Sequence, residues 1–401
     1  MPGLRLIDGE QLARDYAAHP ERTKQHLMES TSAREVRLAD FSIRELAEAF
    51  LGREAVANMR PKSGSMRQVR SLMEADGVRY TDFSEIVGQL LYTEVMDAYE
   101  SPEFVFTKEI EVKPSKLQDT EKVPGMSVLG DESEVVAEFD TYPSIGPSQD
   151  WIHVGPKVKR GCKVEVSKEA VLGDTTGELM DRCKQGGRTL GINLEKRIID
   201  AIIDEGTQGT KSALAGGHRY HWRDTSYASF QDTSPWVNVV TSNGLVNHAN
   251  LRSAWQALTD LRDPFTGEPI VLTPDALIVT TDNLWTAKNI LRQVETRHDT
   301  NNSAGTANIT MLFPNPVTDN IPNLKVLTSP WLDDRAATDT DWWLGSPRKM
   351  VRRYVIWDLL QEEAPTNNHD MFERDVVFKF KASLKDCVAT VQPRAMIENR
   401  A

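Results

Sequence analysis

The sequence predicts a mixed α+β protein, and three observations carry that reading. Two stretches alternate apolar and polar residues at period two. In one, Phe104, Phe106, Ile110 and Val112 alternate with Thr107, Glu109 and Glu111; in the other, Val158, Cys162, Val164 and Val166 alternate with Lys157, Lys159, Lys163 and Glu165. Such alternation marks half-buried strands with one wet face. From about Thr176 to Asp204, Leu179, Cys183, Leu190, Leu194, Ile198 and Ile202 form one stripe at helical spacing, which predicts a long amphipathic helix. Further on, short apolar runs alternate with helical stripes, as in an α/β block. Between the two strand patterns lie 45 residues, Lys113–Lys157, rich in Pro and Gly and without a helical stripe. An excursion of that length is uncommon inside a compact domain. It cannot bury itself, so it is expected to lie on another chain.

Each element follows in order. Residues 1–60 are polar and helix-prone over Glu10–Ala18 and Ser42–Met59, where Ser42 and Glu45 fit a capping box with Phe41 as its staple. Arg60-Pro61-Lys62-Ser63-Gly64-Ser65 reads as a hinge. A helix is predicted over Asp82–Tyr99 from the face formed by Phe83, Ile86, Val87, Leu90, Leu91, Val95 and Met96, and Ser101-Pro102 ends it. The strand, excursion and second strand come next, then the long helix. Gly186, Gly187 and Gly191 interrupt that helix. Each costs about 1 kcal/mol against Ala in a helix interior, so close backbone approach or a bend is expected there.

Residues 206–248 are rich in loop residues. In the α/β block, Asn250 is expected to cap a helix carrying Leu251, Ala254, Trp255, Leu258 and Leu261. Ala276–Thr280 reads as a strand covered on both faces, Asp282–Glu295 as a helix, and Leu324–Thr328 and Trp342–Gly345 as strands. Near the C-terminus Phe378, Phe380, Ala382 and Leu384 alternate with Lys379, Lys381, Ser383 and Lys385. Asp386 is expected to turn the chain into a last strand, Cys387–Val391.

Composition narrows the function classes. A length of 401 residues suggests two or three domains. No run of eighteen apolar residues predicts a membrane span, and the N-terminus has no apolar signal core. Cys162, Cys183 and Cys387 are far apart and form no CxxC, as expected of reduced structural thiols. The net charge of −12 is uneven: residues 1–70 hold 12 Lys+Arg against 10 Asp+Glu, leaving 35 against 49 in the remainder. That acidic body argues against wrapping nucleic acid over the whole surface.

Enzyme-like constellations are incomplete. His218 and His221 stand at a spacing used by zinc sites, but no third and fourth ligand accompanies them. Asp333, Asp334, Asp339 and Asp341 lack EF-hand spacing and its closing Glu, so they read as an exposed loop. Asp150, His153 and Cys162 hint at a Cys–His pair, yet Cys162 lies on the apolar side of its strand and reads as a packed small hydrophobe. Trp255 and Trp285 fall in helical apolar stripes and are expected in the core. No G-x-S-x-G, P-loop or G-x-G-x-x-G follows a strand. No catalytic, cofactor-binding or metal residue is therefore assigned, and no cofactor is expected.

The order of these elements resembles the tailed-bacteriophage major capsid proteins of the Hong Kong 97 type. "VEVSKEAVLGDTTGELMDRCKQGGRTLGINLEKRIIDAIIDEG" is similar to the family's strand, short helix and spine helix, and "PDALIVTTDNLW" to its axial-domain strand and helix. "IPNLKVLTSPWLDD", "WWLGSPRK" and "FERDVVFKFKASLKDCVATVQPRAMI" resemble its late strands. The resemblance covers about residues 80–401 and lies in the order of loose patterns. It implies an N-terminal arm at 1–103, a peripheral-domain strand at 104–112 and, at 113–157, an extended loop folded as a two-stranded hairpin packed mainly on a neighbouring chain. A peripheral domain with the spine helix would follow at 158–225, an axial domain at 226–360 and peripheral return strands at 361–401. The sequence starts at Met1, so the arm is expected to be retained. Some family members cross-link Lys to Asn; Lys113, Lys116, Lys122, Asn367 and Asn368 are present, but no motif matches.

The implied function is structural. Copies would assemble as pentamers and hexamers into an icosahedral head around double-stranded DNA, which the inner face would meet without sequence specificity. The implied partners are other copies, a portal protein and a scaffold or decoration protein, with no membrane. The implied location is the virion, after assembly in the host bacterial cytoplasm. Alternatives are an encapsulin-like nanocompartment shell, a gene-transfer-agent capsid and, from a different class, a metal-dependent hydrolase using His218 and His221.

Overall fold

In chain order the elements begin with a 3-10 turn at Phe106–Lys108, β1 at Glu111–Pro114, β2 at Glu121–Pro124, β3 at Asp150–Val154 and β4 at Val158–Ser167. The long helix α1 spans Glu178–Ile203, followed by β5 at Tyr220–Trp222, β6 at Thr225–Tyr227 and β7 at Val239–Val240. Next come α2 at His248–Thr259, β8 at Ala276–Val279, α3 at Leu284–Arg292, β9 at Glu295–Thr300 and β10 at Ile309–Pro314. The chain closes with β11 at Lys325–Leu327, α4 at Pro330–Arg335, β12 at Trp342–Gly345, α5 at Pro347–Met350, β13 at Val351–Glu363, β14 at Val376–Thr390 and β15 at Met396–Asn399. This computed structural model describes residues 92–125, 150–167, 178–204, 220–222, 225–233, 235–264, 266–292, 295–300, 309–314, 321, 323–336, 338–363 and 376–401, with single residues between 15 and 29 and between 135 and 139. The expected arm helices, the hinge and most of the excursion lie outside the described residues.

The chain divides into two compact units, one of Met1–Pro102, Lys159–Asn193 and Trp357–Leu384, the other of Glu103–Val158, Leu194–Ile356 and Lys385–Ala401. In the first unit a helix runs through residues 92–99 and buries Val95 and Tyr99. The Tyr99 hydroxyl donates to Asp358 Oδ1 at 3.2 Å, and Lys184 pairs with Glu94 at 3.0 Å. The strand order here is β13-β14-β4. The helical glycines mark close approach. A Cβ on Gly187 would lie 2.5 Å from the Val95 carbonyl oxygen, whereas one on Gly186 would sit 3.4 Å from Cys162 Sγ and 3.8 Å from Val164 Cγ2.

The second unit holds a five-stranded sheet, ordered β11-β8-β12-β15-β7. β12 runs antiparallel to both β8 and β15, while β11 and β7 add in parallel at the edges. β8 is buried at every residue, as expected of a strand covered on both faces. Gly345 fits because β15 passes close by: a Cβ there would run into the Ala395 carbonyl oxygen. Helix α2 starts earlier than expected. Asn247 is its cap and accepts from the Ala249 and Asn250 N–H groups, while the Asn250 side chain answers back to the Asn247 N–H. Asn250 therefore completes a reciprocal capping box. A second core gathers Ile152, Trp236, Leu258, Tyr354, Ala389 and Ile397.

Three sequence expectations are corrected. Phe104–Val112 is no strand, although Phe104, Phe106 and Ile110 are buried. The Glu195 carboxylate accepts from the Phe106 N–H at 2.8 Å and the Thr107 N–H at 2.9 Å, which satisfies the backbone in a tight turn instead of a ladder. Only Glu111–Pro114 is strand, parallel to β13 from Glu111↔Arg352 to Pro114↔Val355. Val158 is exposed and Lys157 buried, the reverse of the alternation. No turn occurs at Asp386, which lies inside the 15-residue strand β14. Within 361–401, β15 pairs with β12 and β7 in the five-stranded sheet.

Replacing Gly187 with Ala forces its methyl onto a backbone carbonyl, and overpacking of that kind costs about 1–3 kcal/mol. Replacing Gly186 with Ala places the methyl at ordinary contact distance and gains up to about 1 kcal/mol of helix propensity. Urea unfolding of the unassembled subunits should therefore move the two midpoints in opposite directions.

Candidate functional site

The two ends of the long excursion come back together. β2 pairs antiparallel with β3 from Glu121↔Val154 to Pro124↔Trp151, and β3 continues the sheet into β5 and β6. This is the hairpin expected from the sequence, at its base. The base does not lie on another chain. Ile152 and Val154 are fully buried in this chain's own core. Buried Lys157 anchors it: its ammonium donates to Glu121 Oε2 at 3.1 Å and to the Asp119 carbonyl at 3.3 Å. The Lys157 Nζ also lies 5.9 Å from the centre of the Tyr354 ring, and burial pushes that phenol's pKa up. Beyond the base, Val135 is 101% exposed and Phe139 99% exposed.

Behind the base sits a buried charge junction. Arg197 of α1 donates to Asp386 Oδ1 at 2.8 Å and to Oδ2 at 3.2 Å, and Arg353 of β13 donates to Oδ2 at 2.7 Å. All three side chains are buried. Burial alone would raise the Asp386 pKa, but the guanidinium of Arg197, and then that of Arg353, outweigh it and hold the carboxyl below its ordinary value. Two residues before Arg197, Glu195 also accepts from the Thr107 hydroxyl at 2.6 Å. A third buried pair, Arg394 with Asp263 at 3.5 Å, ties the turn before β15 to the segment after α2.

The enzyme-like candidates disperse. Asp333 accepts from the Thr281 N–H at 2.9 Å, Asp334 pairs with Lys196 at 3.1 Å, and Asp341 accepts from the Ala401 N–H at 3.1 Å. The Asp339 carbonyl accepts from Thr280 and Asn283. His153 Nε2 accepts from Trp151 Nε1 at 3.2 Å. Cys162 faces Gly186, and burial raises its thiol pKa. His221 pairs in register with Trp151 and Ser226, while His218, Asn367 and Asn368 lie outside the described residues. Lys122 stands over the Trp151 ring at 5.0 Å, and Lys113 is 3.8 Å from Glu111. Trp255 packs as expected, but Trp285 is 76% exposed, a correction to its core reading. Among the described residues no group of three His, Cys, Asp or Glu side chains is placed to hold a metal ion, and no helix is long and apolar enough to cross a membrane.

A family described as phage capsid protein matches residues 156–399, more than half of the chain. This chain belongs to that phage capsid protein family. The capsid protein is also similar to several solved structures. The capsid of cyanophage P-SCSP1u is 12% identical, with a TM-score of 0.44 over 74% of this chain and 88% of that one. The virus-like particle of Pyrococcus furiosus is 10% identical, with a TM-score of 0.41 over 77% and 98%. Mycobacterium phage Bobi is 11% identical, with a TM-score of 0.42 over 74% and 89%. Comparison with curated proteins returned no match.

Nothing in the sequence singled out the charge junction of this capsid protein. The available signal was that Glu195 and Arg197 stand between the apolar stripe positions Leu194 and Ile198, in the part of the helix from Leu194 to Ile203 that is buried nearly all round. Replacing Asp386 with Asn leaves two buried guanidiniums without their counter-charge. Breaking a buried pair in that way costs about 3–5 kcal/mol. The folded pKa of Asp386 is depressed, so its contribution is complete above the unfolded value of about 3.9 and is lost as pH falls through the folded one. The melting-temperature gap between parent and Asp386→Asn should therefore stay wide at neutral pH and close only well below pH 3.9.

Proposed function

We propose that this phage capsid protein is the major shell subunit of a tailed phage, built on the Hong Kong 97-type plan. Copies assemble as pentamers and hexamers into an icosahedral head that encloses double-stranded DNA, which the inner face meets without sequence specificity. The observation that carries the reading is the capsid-family match over 156–399, a span that runs from just before β4 to the end of β15. A shell needs no catalytic centre; it needs surfaces that meet repeatedly under closed symmetry. In this reading residues 1–103 form an arm and 113–157 an extended loop. The loop is clamped at its base by Lys157 and reaches another copy with its tip, where Val135 and Phe139 have no cover of their own. Forty-five residues folded back on themselves reach about 70 Å at ~3.3 Å per residue, enough to cross an adjoining subunit. Many such contacts add by avidity. Portal, scaffold and decoration proteins would complete the particle, which assembles in the bacterial cytoplasm and ends as a virion.

Negative-stain microscopy of the expressed protein tests this. Uniform hollow particles are expected. A stable monomer or dimer under every assembly condition would sink the reading, and particles filled with a cargo enzyme would transfer it to a nanocompartment shell.

A further inference from the structure

Helices α2 and α3 cover one side of the five-stranded sheet. Leu251 and Ala254 of α2 and Ala287 and Ile290 of α3 pack in one cluster with Leu277 and Val279 of β8 and Trp342 and Leu344 of β12. Their other sides have an unusual makeup. The two helices hold Arg252, Lys288 and Arg292 and not one Asp or Glu; Asp260 follows α2 and Asp282 precedes α3. On α3, Trp285, Lys288 and Arg292 recur at three- and four-residue steps as one exposed stripe. Arg252 is exposed on α2, and Val246, next to its cap, is 74% exposed. Among the described residues none of the three cations is ion-paired. The remainder of the chain has the opposite sign, with a net charge of −12 overall.

We propose that the outward face of α2 and α3 docks onto an acidic surface of a second copy of this chain. Trp285 is its apolar anchor, and Arg252, Lys288 and Arg292 are its cationic rim. The inference rests on the shell reading, which supplies the copies. Trp and Arg are the residues that most often carry binding energy at protein interfaces. A basic patch on an acidic chain is complementary to the rest of its own surface, which sets orientation and suppresses like-charge contacts. Nucleic acid is the weaker fit. Its affinity grows with the number of phosphates neutralised, three cations over two helices are few, and an exposed Trp stacks on unpaired bases more readily than on a duplex.

The test uses the full chain with Trp285→Ala, with Lys288→Glu plus Arg292→Glu, and with Lys288→Arg as the charge-keeping control. All three positions are exposed, so the melting temperature of the unassembled subunit should hold. Sedimentation and light scattering read self-association, and a gel-shift assay reads binding to a plain DNA duplex. The first two variants should need at least about tenfold more protein to associate, with the control unchanged. Variants that associate like the parent overturn the proposal, and so do variants that associate normally but lose DNA. A parent that associates into oligomers without closing shells fails the shell reading and leaves this contact measurable; a strictly monomeric parent overturns both.

Discussion

The grip of Arg197 and Arg353 on Asp386 is the constraint on which the second unit turns. It joins α1, β13 and β14, the three longest elements among the described residues. Burying three charges is expensive, and well-packed apolar residues often do as well or better for stability. What the junction supplies is register. A one-residue slip of β14 would turn every side chain to the opposite face, and Asp386 would lose both guanidiniums at once. The same strand carries Thr390, whose hydroxyl donates to the Ala201 carbonyl on α1 at 2.9 Å. Two polar contacts four residues apart thus fix one strand against one helix.

Glu195 applies the same logic to the chain entering this unit. Its carboxylate takes two backbone N–H groups and one hydroxyl, which the tight turn at Phe106–Lys108 presents together. Both anchors stand on α1 within three residues of one another. The helix therefore positions the segment before β1 and the strand β14 together. Lys157 does the equivalent work at the base of the excursion, where a single buried ammonium gathers Glu121 and the Asp119 carbonyl.

This explains what could be read from the sequence and what could not. Elements built on periodicity were legible: α1 with Leu190, Leu194, Ile198 and Ile202 buried along one stripe, β12 at Trp342–Gly345, and β8 and α3 within a few residues. The return of the excursion on itself was legible too, as β2 with β3. Elements decided by a distant polar partner were not. Phe104–Val112 has the apolar spacing of a strand, yet Glu195, far along the chain, converts it to a turn. Asp386 looks like a turn residue because an isolated Asp disfavours strands, and only the two arginines make it a strand residue. The exposure of Trp285 has a related origin: Ala287 and Ile290 already fill the contact with the sheet, so the larger side chain is left outside. Pattern records which residues are apolar, not which of them find a partner in their own chain.

The same distinction bears on function. The informative departures in a folded chain are buried polar groups and large exposed apolar patches. Here charged side chains are pinned deep in the second unit, at Asp386, Arg394 and Glu195, while Val135, Phe139, Val246 and Trp285 stand in the open. The interior charges specify a single arrangement of strands and helix. Rigid placement matters when one subunit must repeat the same contacts around a closed shell, because an error in orientation at one interface is carried to the next.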